Sequence, residues 1–126
     1  MILDASALLA FLFEEPGGDA VADAILSGAE ITAVNFAEVL TRYVTGDAFD
    51  EVAGLQERLP VSILPVDEDL AYRAAIMARH TRRAGLSLGD RICLALAQRT
   101  GETVLTADRA WFEIADAINV KVTLIR

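Results

Sequence analysis

The chain has 126 residues, of which 54% are hydrophobic, and a formal net charge of −8 from 11 basic and 19 acidic residues. This length favours one domain spanning residues 1–126, and no stretch reaches the ~18 apolar residues of a membrane span, so we expect no membrane segment. The acidic balance argues against a general nucleic-acid binder, and a single cysteine, Cys93, allows no intrachain disulfide, which favours a reducing cytoplasm.

Strand and helix patterns alternate along the chain without a repeat or a linker. In chain order, the predicted elements are strand 1–4, helices 5–15 and 18–27, strand 30–33, helices 34–45 and 48–59, strand 61–66, helices 67–84 and 87–100, strand 102–106, helix 109–117 and strand 119–125. The helices follow apolar spacings of three and four residues, and the turns follow Gly and Pro. This alternation predicts an α/β fold, a five-stranded, mostly parallel sheet sandwiched between helices.

Three acidic residues stand where predicted strands and helices meet. Asp4 ends the first strand, Asp108 follows the fourth, and Asp90 lies in the first turn of helix 87–100. In a parallel sheet such positions converge on one edge. Carboxylates crowded there repel one another, and a hard cation bound between them relieves the repulsion. Metal-assisted chemistry on phosphate is therefore the leading hypothesis.

Each acid also has a purely structural interpretation. Asp4 and Asp108 can cap the helices that follow them, and Asp90 forms a capping-box pattern with Ser87. Glu38 lies opposite the apolar stripe of helix 34–45 and can pair with Arg42 on the next turn. Taken singly, these residues favour the structural interpretation.

The motifs that the chain lacks restrict its chemistry. His80 is its only histidine, which excludes a His-rich zinc site and a Ser-His or Cys-His nucleophile pair. It has neither a Walker-type glycine loop nor a Rossmann glycine fingerprint. The remaining oxygen donors select Mg²⁺ or Mn²⁺ over softer metals, and a cation held by carboxylates can activate water for attack on a phosphodiester.

Four stretches of the chain resemble the PIN-domain proteins, and specifically the VapC toxins of bacterial type II toxin–antitoxin modules. They are residues 2–9 (ILDASALL), 34–40 (VNFAEVL), 85–97 (GLSLGDRICLALA) and 104–111 (VLTADRAW). Each stretch is loose alone, but their order and spacing together are specific. Family members often have Thr where this chain has Ala5, whereas the polar neighbour Ser6 is retained.

The resemblance implies a Mg²⁺- or Mn²⁺-dependent endoribonuclease with a cognate VapB-type antitoxin. It shifts the interpretation of Asp4, Glu38, Asp90 and Asp108 toward a four-carboxylate metal site. We expect Asp4 and Asp108 to bind metal directly, with Asp90 and Glu38 completing the set directly or through water. Ser6 and Thr106 are expected to hydrogen-bond the carboxylates or the metal-bound waters.

Residues that contact the RNA are harder to assign. The candidates are Arg79, Arg82, Arg83, Arg91 and Arg109. The first three, with His80, form the one basic cluster, which can equally balance the negative end of its own helix. Trp111 and Phe112 are expected in the core. The apolar surface around Phe36, Tyr43 and Phe49 predicts a homodimer.

Two alternatives remain open. A phospho-accepting receiver domain of a signalling system also has an Asp after its first strand, and here Asp67, Thr106 and Lys121 lie roughly where its acceptor, hydroxyl and lysine would be. The lack of an acid beside Asp4 argues against it, and it leaves Glu38 and Asp90 without a role. A PIN-like domain that only binds RNA or a partner is the other alternative, and the complete set of acids argues against it.

Overall fold

The computed structural model describes all residues from 1 to 126 and forms one five-stranded sheet in which every pair of neighbouring strands is parallel. The strands are β1 (Ile2–Leu3), β2 (Glu30–Thr32), β3 (Ser62–Leu64), β4 (Thr103–Thr106) and β5 (Lys121–Leu124). The helices are α1 (Ala5–Leu12), α2 (Gly18–Leu26), α3 (Ala33–Thr45), α4 (Leu55–Arg58), α5 (Glu68–Thr81), α6 (Leu88–Thr100) and α7 (Ala110–Ile114). The predicted α/β class is confirmed. None of these helices has the length and hydropathy that a membrane crossing requires.

Alternate residues of the central strands face two different cores. Ile2 and Val104 pack with α5, α6 and α7, whereas Leu3 and Leu105 pack with α1, α2 and α3. Successive side chains of a strand point to opposite faces, so even the two-residue strand β1 contributes to both layers. The free thiol Cys93 is buried in the first core, as expected.

The strand order β3-β2-β1-β4-β5 places β1 at the centre of the sheet. The chain runs outward from β1 through β2 to β3 and then returns to add β4 and β5 on the other side. In open parallel sheets, ligands bind beyond the carboxyl ends of the strands where the winding direction reverses. That position here lies beyond the ends of β1 and β4, which lead into Asp4 and Asp108.

The predicted helix 48–59 is wrong. The segment instead forms a 3₁₀ turn, Phe49–Glu51, and the single-turn helix α4. Gly54 separates them at φ 73°, a left-handed conformation that ends a helix and that other residues adopt at a cost. Leu55, one of the apolar positions behind the prediction, is buried, although the segment is not one helix.

Two further helices are shorter than predicted because each ends in a 3₁₀ turn. Helix 67–84 ends at Thr81 and continues as the turn Arg82–Ala84, which Gly85 closes. Helix 109–117 divides into α7 and the turn Asp116–Ile118. The shortened α5 and its turn leave Arg82 and Arg83 exposed.

Candidate active site

Asp4 is the buried centre of the candidate site. It directly follows β1, and only 4% of its surface is exposed. Its Oδ2 accepts hydrogen bonds from Ser6 Oγ at 2.5 Å and from Thr106 Oγ1 at 2.9 Å. The Asp4 side chain makes no capping hydrogen bond to the first turn of α1, so the helix-cap interpretation of Asp4 is wrong.

The same two hydroxyls join the ends of β1 and β4. Ser6 Oγ accepts a hydrogen bond from the Ala107 N–H at 2.9 Å, and Thr106 Oγ1 accepts one from the Asp108 N–H at 3.1 Å. The Thr106 hydroxyl therefore connects the Asp4 carboxylate to the backbone of Asp108. The network holds these two acids near one point beyond the sheet.

Asp90 and Asp108 each also make the capping bonds expected of them. The backbone N–H of Ser87 donates to Asp90 Oδ2 at 2.8 Å, and the Asp90 N–H donates to Ser87 Oγ at 3.2 Å, a complete capping box. Asp108 Oδ1 accepts from the Ala110 N–H at 2.9 Å. Capping does not exclude a second role, because in both residues the bond uses one carboxylate oxygen.

Asn35 positions Glu38, an interaction that the sequence analysis did not identify. Asn35 is completely buried, and its Nδ2 donates to Glu38 Oε2 and to the backbone oxygen of Gly89, each at 3.1 Å. A side chain at Gly89 would overlap the Glu38 carboxylate, so the glycine makes room for it. Glu38 is thereby held against the residue that precedes Asp90. The alternative interpretation of Glu38, a pair with Arg42, is wrong, since Arg42 pairs with Glu15.

The four acids at this edge of the sheet carry negative charge that no basic residue pairs with. The pKa of Asp4 is raised to about 6, chiefly by burial and also by the charge of Asp90, while the hydrogen bonds from Ser6 and Thr106 act in the opposite direction. Burial is also the main cause of the raised pKa of Glu38 and of Asp90. None of the four acids forms an ion pair with a basic residue.

The donor set suits a hard divalent cation, although the acids are not gathered as a finished binding site. No group of three acidic, His or Cys side chains is close enough to hold one metal ion. Like charges keep apart when no cation lies between them. All the donors here are oxygens, and a buried carboxylate without a basic partner is stabilised by an added cation. The residues therefore fit Mg²⁺ or Mn²⁺ in their chemistry.

The structure divides the five arginines proposed to contact RNA. Arg91 donates to the backbone oxygen of Ala74 at 2.9 Å and so connects α6 to α5. It forms no ion pair with Asp90 or Asp108. Arg79, Arg82, Arg83 and Arg109 are exposed and make no side-chain hydrogen bond or ion pair.

The expectation that Trp111 and Phe112 both lie in the core is wrong for Phe112. Trp111 is completely buried, whereas 64% of Phe112 is exposed. Adjacent residues of a helix point about 100° apart, so only one of the two can face the sheet.

The residues of the receiver hypothesis do not form a site. The Asp67 carboxylate caps α5 through the Leu70 N–H at 2.9 Å and binds Arg99 at 2.8 Å. These interactions hold its pKa below the usual range. Asp67 follows edge strand β3, whereas Lys121 opens β5 at the far side of the sheet.

Comparisons with known proteins agree with this geometry. The sequence profile of the PIN domain matches residues 1–117. A protein named Ribonuclease VapC from Mycolicibacterium smegmatis is 32% identical over an alignment 131 positions long, which covers 95% of this chain and 99% of that protein.

Solved structures resemble the chain over nearly its whole length. The FitAcB structure from Neisseria gonorrhoeae has a TM-score of 0.72 and 25% identity, with 96% of this chain and 94% of that chain covered. A toxin–antitoxin complex from Klebsiella pneumoniae has a TM-score of 0.77, 17% identity and coverage of 99% and 97%. At that identity the second likeness concerns the fold alone.

Proposed function

The chain belongs to the PIN-domain family, and on this premise we propose that it is a Mg²⁺- or Mn²⁺-dependent endoribonuclease, the toxin of a type II toxin–antitoxin pair. The observation that carries the proposal is the placement of Asp4. It is a buried carboxylate at the switch point of the sheet, with no basic partner and with two hydroxyls that fix its orientation. The activity is the one named for the 32% identical relative.

The proposed metal ligands are Asp4 and Asp108, with Asp90 and Glu38 completing the set directly or through water. The chemistry that Mg²⁺ or Mn²⁺ supplies at such a site is a lower pKa for bound water and neutralisation of phosphate charge. Ser6 and Thr106 orient Asp4, and Asn35 orients Glu38.

Hydrolysis of the phosphodiester exchanges one bond to phosphorus for another. The water oxygen forms a bond to phosphorus, the bond from phosphorus to the leaving ribose oxygen breaks, and the proton lost by water ends on the leaving side. Asp4, Glu38, Asp90 and Asp108 would hold the cation, and the cation would orient the attacking water in line with the leaving oxygen, the geometry that displacement at phosphorus requires.

Replacing Asp4 by Asn tests the assignment. We expect Asp4→Asn to abolish Mg²⁺-dependent cleavage of RNA by the purified protein, because the amide keeps the size of the carboxylate and removes its charge. The matched control is Asp67→Asn, which removes an acid away from the site and should cleave normally. Cleavage by Asp4→Asn at the wild-type rate would refute the assignment. RNA binding without any cleavage by the wild type would favour the PIN-like domain that has lost catalysis.

The proposed partners are a VapB-type antitoxin and a second copy of this chain, in the cytoplasm. The Klebsiella structure with the same fold is a toxin–antitoxin complex, which supports the first partner. For the homodimer, the surface differs from the one expected, since Phe36 and Tyr43 are buried and Val44 and Phe49 are exposed. Those two exposed residues are the apolar surface that we propose for the homodimer.

A further inference from the structure

The arginines of this chain divide into those that bond within the fold and those that do not. Six of the ten guanidinium groups bond to carboxylates, to a side-chain amide or to backbone oxygens; they are Arg42, Arg58, Arg73, Arg91, Arg99 and Arg126. The other four, Arg79, Arg82, Arg83 and Arg109, are exposed and make no such bond. These four are therefore the arginines that are available to bind an anion, although the chain carries eight excess negative charges.

The four free arginines lie along one edge of the molecule. Arg79, Arg82 and Arg83 line a groove of about 440 Å³ at the end of α5. The turn Arg82–Ala84 contacts α7, and Arg109 directly precedes α7. Arg109 also directly follows Asp108, so this basic edge leads from the groove to the proposed active site.

An exposed aromatic ring stands on the same edge. Phe112 lies one helical turn after Arg109, and its N–H donates to the Arg109 backbone oxygen at 3.1 Å. With 64% of its surface exposed, Phe112 gains little from the core. An exposed aromatic ring among free guanidinium groups is the combination that binds single-stranded nucleic acid, in which arginines hold phosphates and the ring stacks on a base.

We propose that this edge holds the RNA beside the proposed active site, with phosphates on Arg82, Arg83 and Arg109 and one base stacked on Phe112. This inference rests on the proposed ribonuclease function and names the residues of this chain that bind the substrate of the same site. A base is free to stack on a side chain only where it is unpaired, so the surface selects loops and single strands over duplex. Glu113, exposed next to Phe112, sets a limit on how closely phosphates approach beyond the ring.

RNA fits this edge better than an acidic segment of a partner protein does. The edge continues directly into the carboxylates proposed to cut phosphodiesters, and each nucleotide of a bound strand offers both a phosphate for an arginine and a base for the ring. The one lysine, Lys121, lies at the amino end of β5, and the proposed site lies beyond the carboxyl ends of the strands. The free positive charge is therefore concentrated on the side where the substrate would enter.

Binding is measured first, so that the test does not depend on cleavage. The probe is a labelled 12-nucleotide single-stranded RNA, and its affinity for the metal-free protein is measured by fluorescence anisotropy. Phe112→Ala should weaken binding by about 5- to 100-fold, the range for removal of one stacked base, and Phe112→Trp should restore it. The control Tyr72→Ala removes another exposed ring, on α5, and should change nothing.

The charge component is tested by salt dependence. Arg82→Gln/Arg83→Gln should reduce the slope of log Kd against log salt by about 1.4, or about 0.7 for each phosphate that is no longer neutralised. The control Arg42→Gln/Lys121→Gln removes two positive charges elsewhere and should leave the slope unchanged. Pairing the same RNA with its complement should weaken binding to the wild type and abolish the effect of Phe112→Ala.

Cleavage then separates this inference from the proposed function. On the single strand, Phe112→Ala should raise KM with kcat little changed, because the ring lies outside the reacting groups. If the wild-type protein cleaves RNA and Phe112→Ala changes neither RNA affinity nor KM, the inference is overturned and the ribonuclease function stands. If single-stranded RNA binding depends on Phe112 but no RNA is cleaved, the RNA-binding edge is supported and the ribonuclease function is overturned. If Phe112→Ala weakened antitoxin binding or dimerisation and left RNA affinity intact, the edge would be a protein interface and the inference would fail.

Discussion

Asp4 is held in a position that is unfavourable for its own charge. Its pKa is raised to about 6 from a usual value of 3.8, chiefly by burial, so in the metal-free fold the carboxyl stays largely protonated up to about pH 6. The unfolded chain does not, and this difference makes the stability of the metal-free protein depend on pH.

We predict that Asp4→Asn makes the metal-free protein more stable at pH 7. The folded pKa lies above the unfolded one, so the cost of ionising Asp4 is absent below about pH 4, grows as the pH rises through about 6 and is complete above it. The gain in the variant is at most about 3 kcal/mol, and weaker bonds from Ser6 and Thr106 to the amide reduce it. Urea unfolding with EDTA between about pH 4 and pH 7 should show the two stability curves diverging as the pH rises. A variant less stable than the wild type at pH 7 would contradict this account.

Residues with local partners were predictable, and residues with distant partners were not. Ser6 and Thr106 could be placed beside the acids because both stand next to strand ends whose convergence follows from a parallel sheet. The role of Asn35 could not be predicted, because its partner Gly89 is 54 residues away and nothing local indicates that α3 and α6 meet there. The exposure of Phe112 was equally unpredictable, since an apolar pair on a short helix does not indicate which member faces outward.

At the scale of secondary-structure elements, Asn35 joins two helices that each carry a proposed metal ligand. Glu38 lies on α3 and Asp90 on α6, and Asn35 bonds both to Glu38 and to the backbone just before Asp90. This buried amide therefore helps to fix the distance between these two carboxylates.

We predict that Asn35→Ala lowers both stability and metal affinity. The Gly89 carbonyl would lose its buried donor, at a cost of about 1–3 kcal/mol. Glu38 would lose its orientation, which should raise the Mg²⁺ concentration for half-maximal cleavage about 10-fold. Thermal melting and Mg²⁺ titration of activity measure the two effects. Thr41→Ala, on the exposed face of α3, should change neither, and an unchanged Mg²⁺ requirement in Asn35→Ala would show that Glu38 does not need its partner.

The number and parallel arrangement of the strands followed from the alternation of apolar patterns. The pairing order β3-β2-β1-β4-β5 did not, because apolar runs do not state which strand they pair with. The prediction of helix 48–59 was wrong for a different reason. Its apolar spacing was helical, but the left-handed conformation of Gly54 depends on how the segment packs rather than on periodicity.

The whole molecule combines a strongly acidic chain with a proposed active site whose four acids form no ion pair with a basic residue of the chain. A partner protein that places a positively charged side chain among these unpaired carboxylates gains a favourable electrostatic interaction. An antitoxin segment with an Arg or Lys among Asp4, Asp90 and Asp108 would exclude metal and RNA together.

We predict that inhibition by the antitoxin depends on one such basic residue. Replacing it should weaken inhibition by about 30-fold or more, as expected for one partner of a buried charge pair. Trimming a neighbouring apolar anchor should matter less, and raising Mg²⁺ should partly relieve inhibition by the intact antitoxin. The antitoxin itself should be a short DNA-binding protein whose gene lies immediately upstream. Inhibition insensitive to both changes would mean that the antitoxin acts elsewhere, by covering the RNA surface or separating the dimer.

The hydrogen bond between Asp4 and Thr106 also bears on how the protein is made. The two residues are separated by 102 positions, and the central strand β1 needs β4 beside it to complete the sheet. A ribosome synthesises the aspartate 102 positions before its partner. The growing chain therefore has no assembled site until β4 has been made, and RNA meets the complete proposed site only after that point. An antitoxin translated beforehand would already be present at that moment.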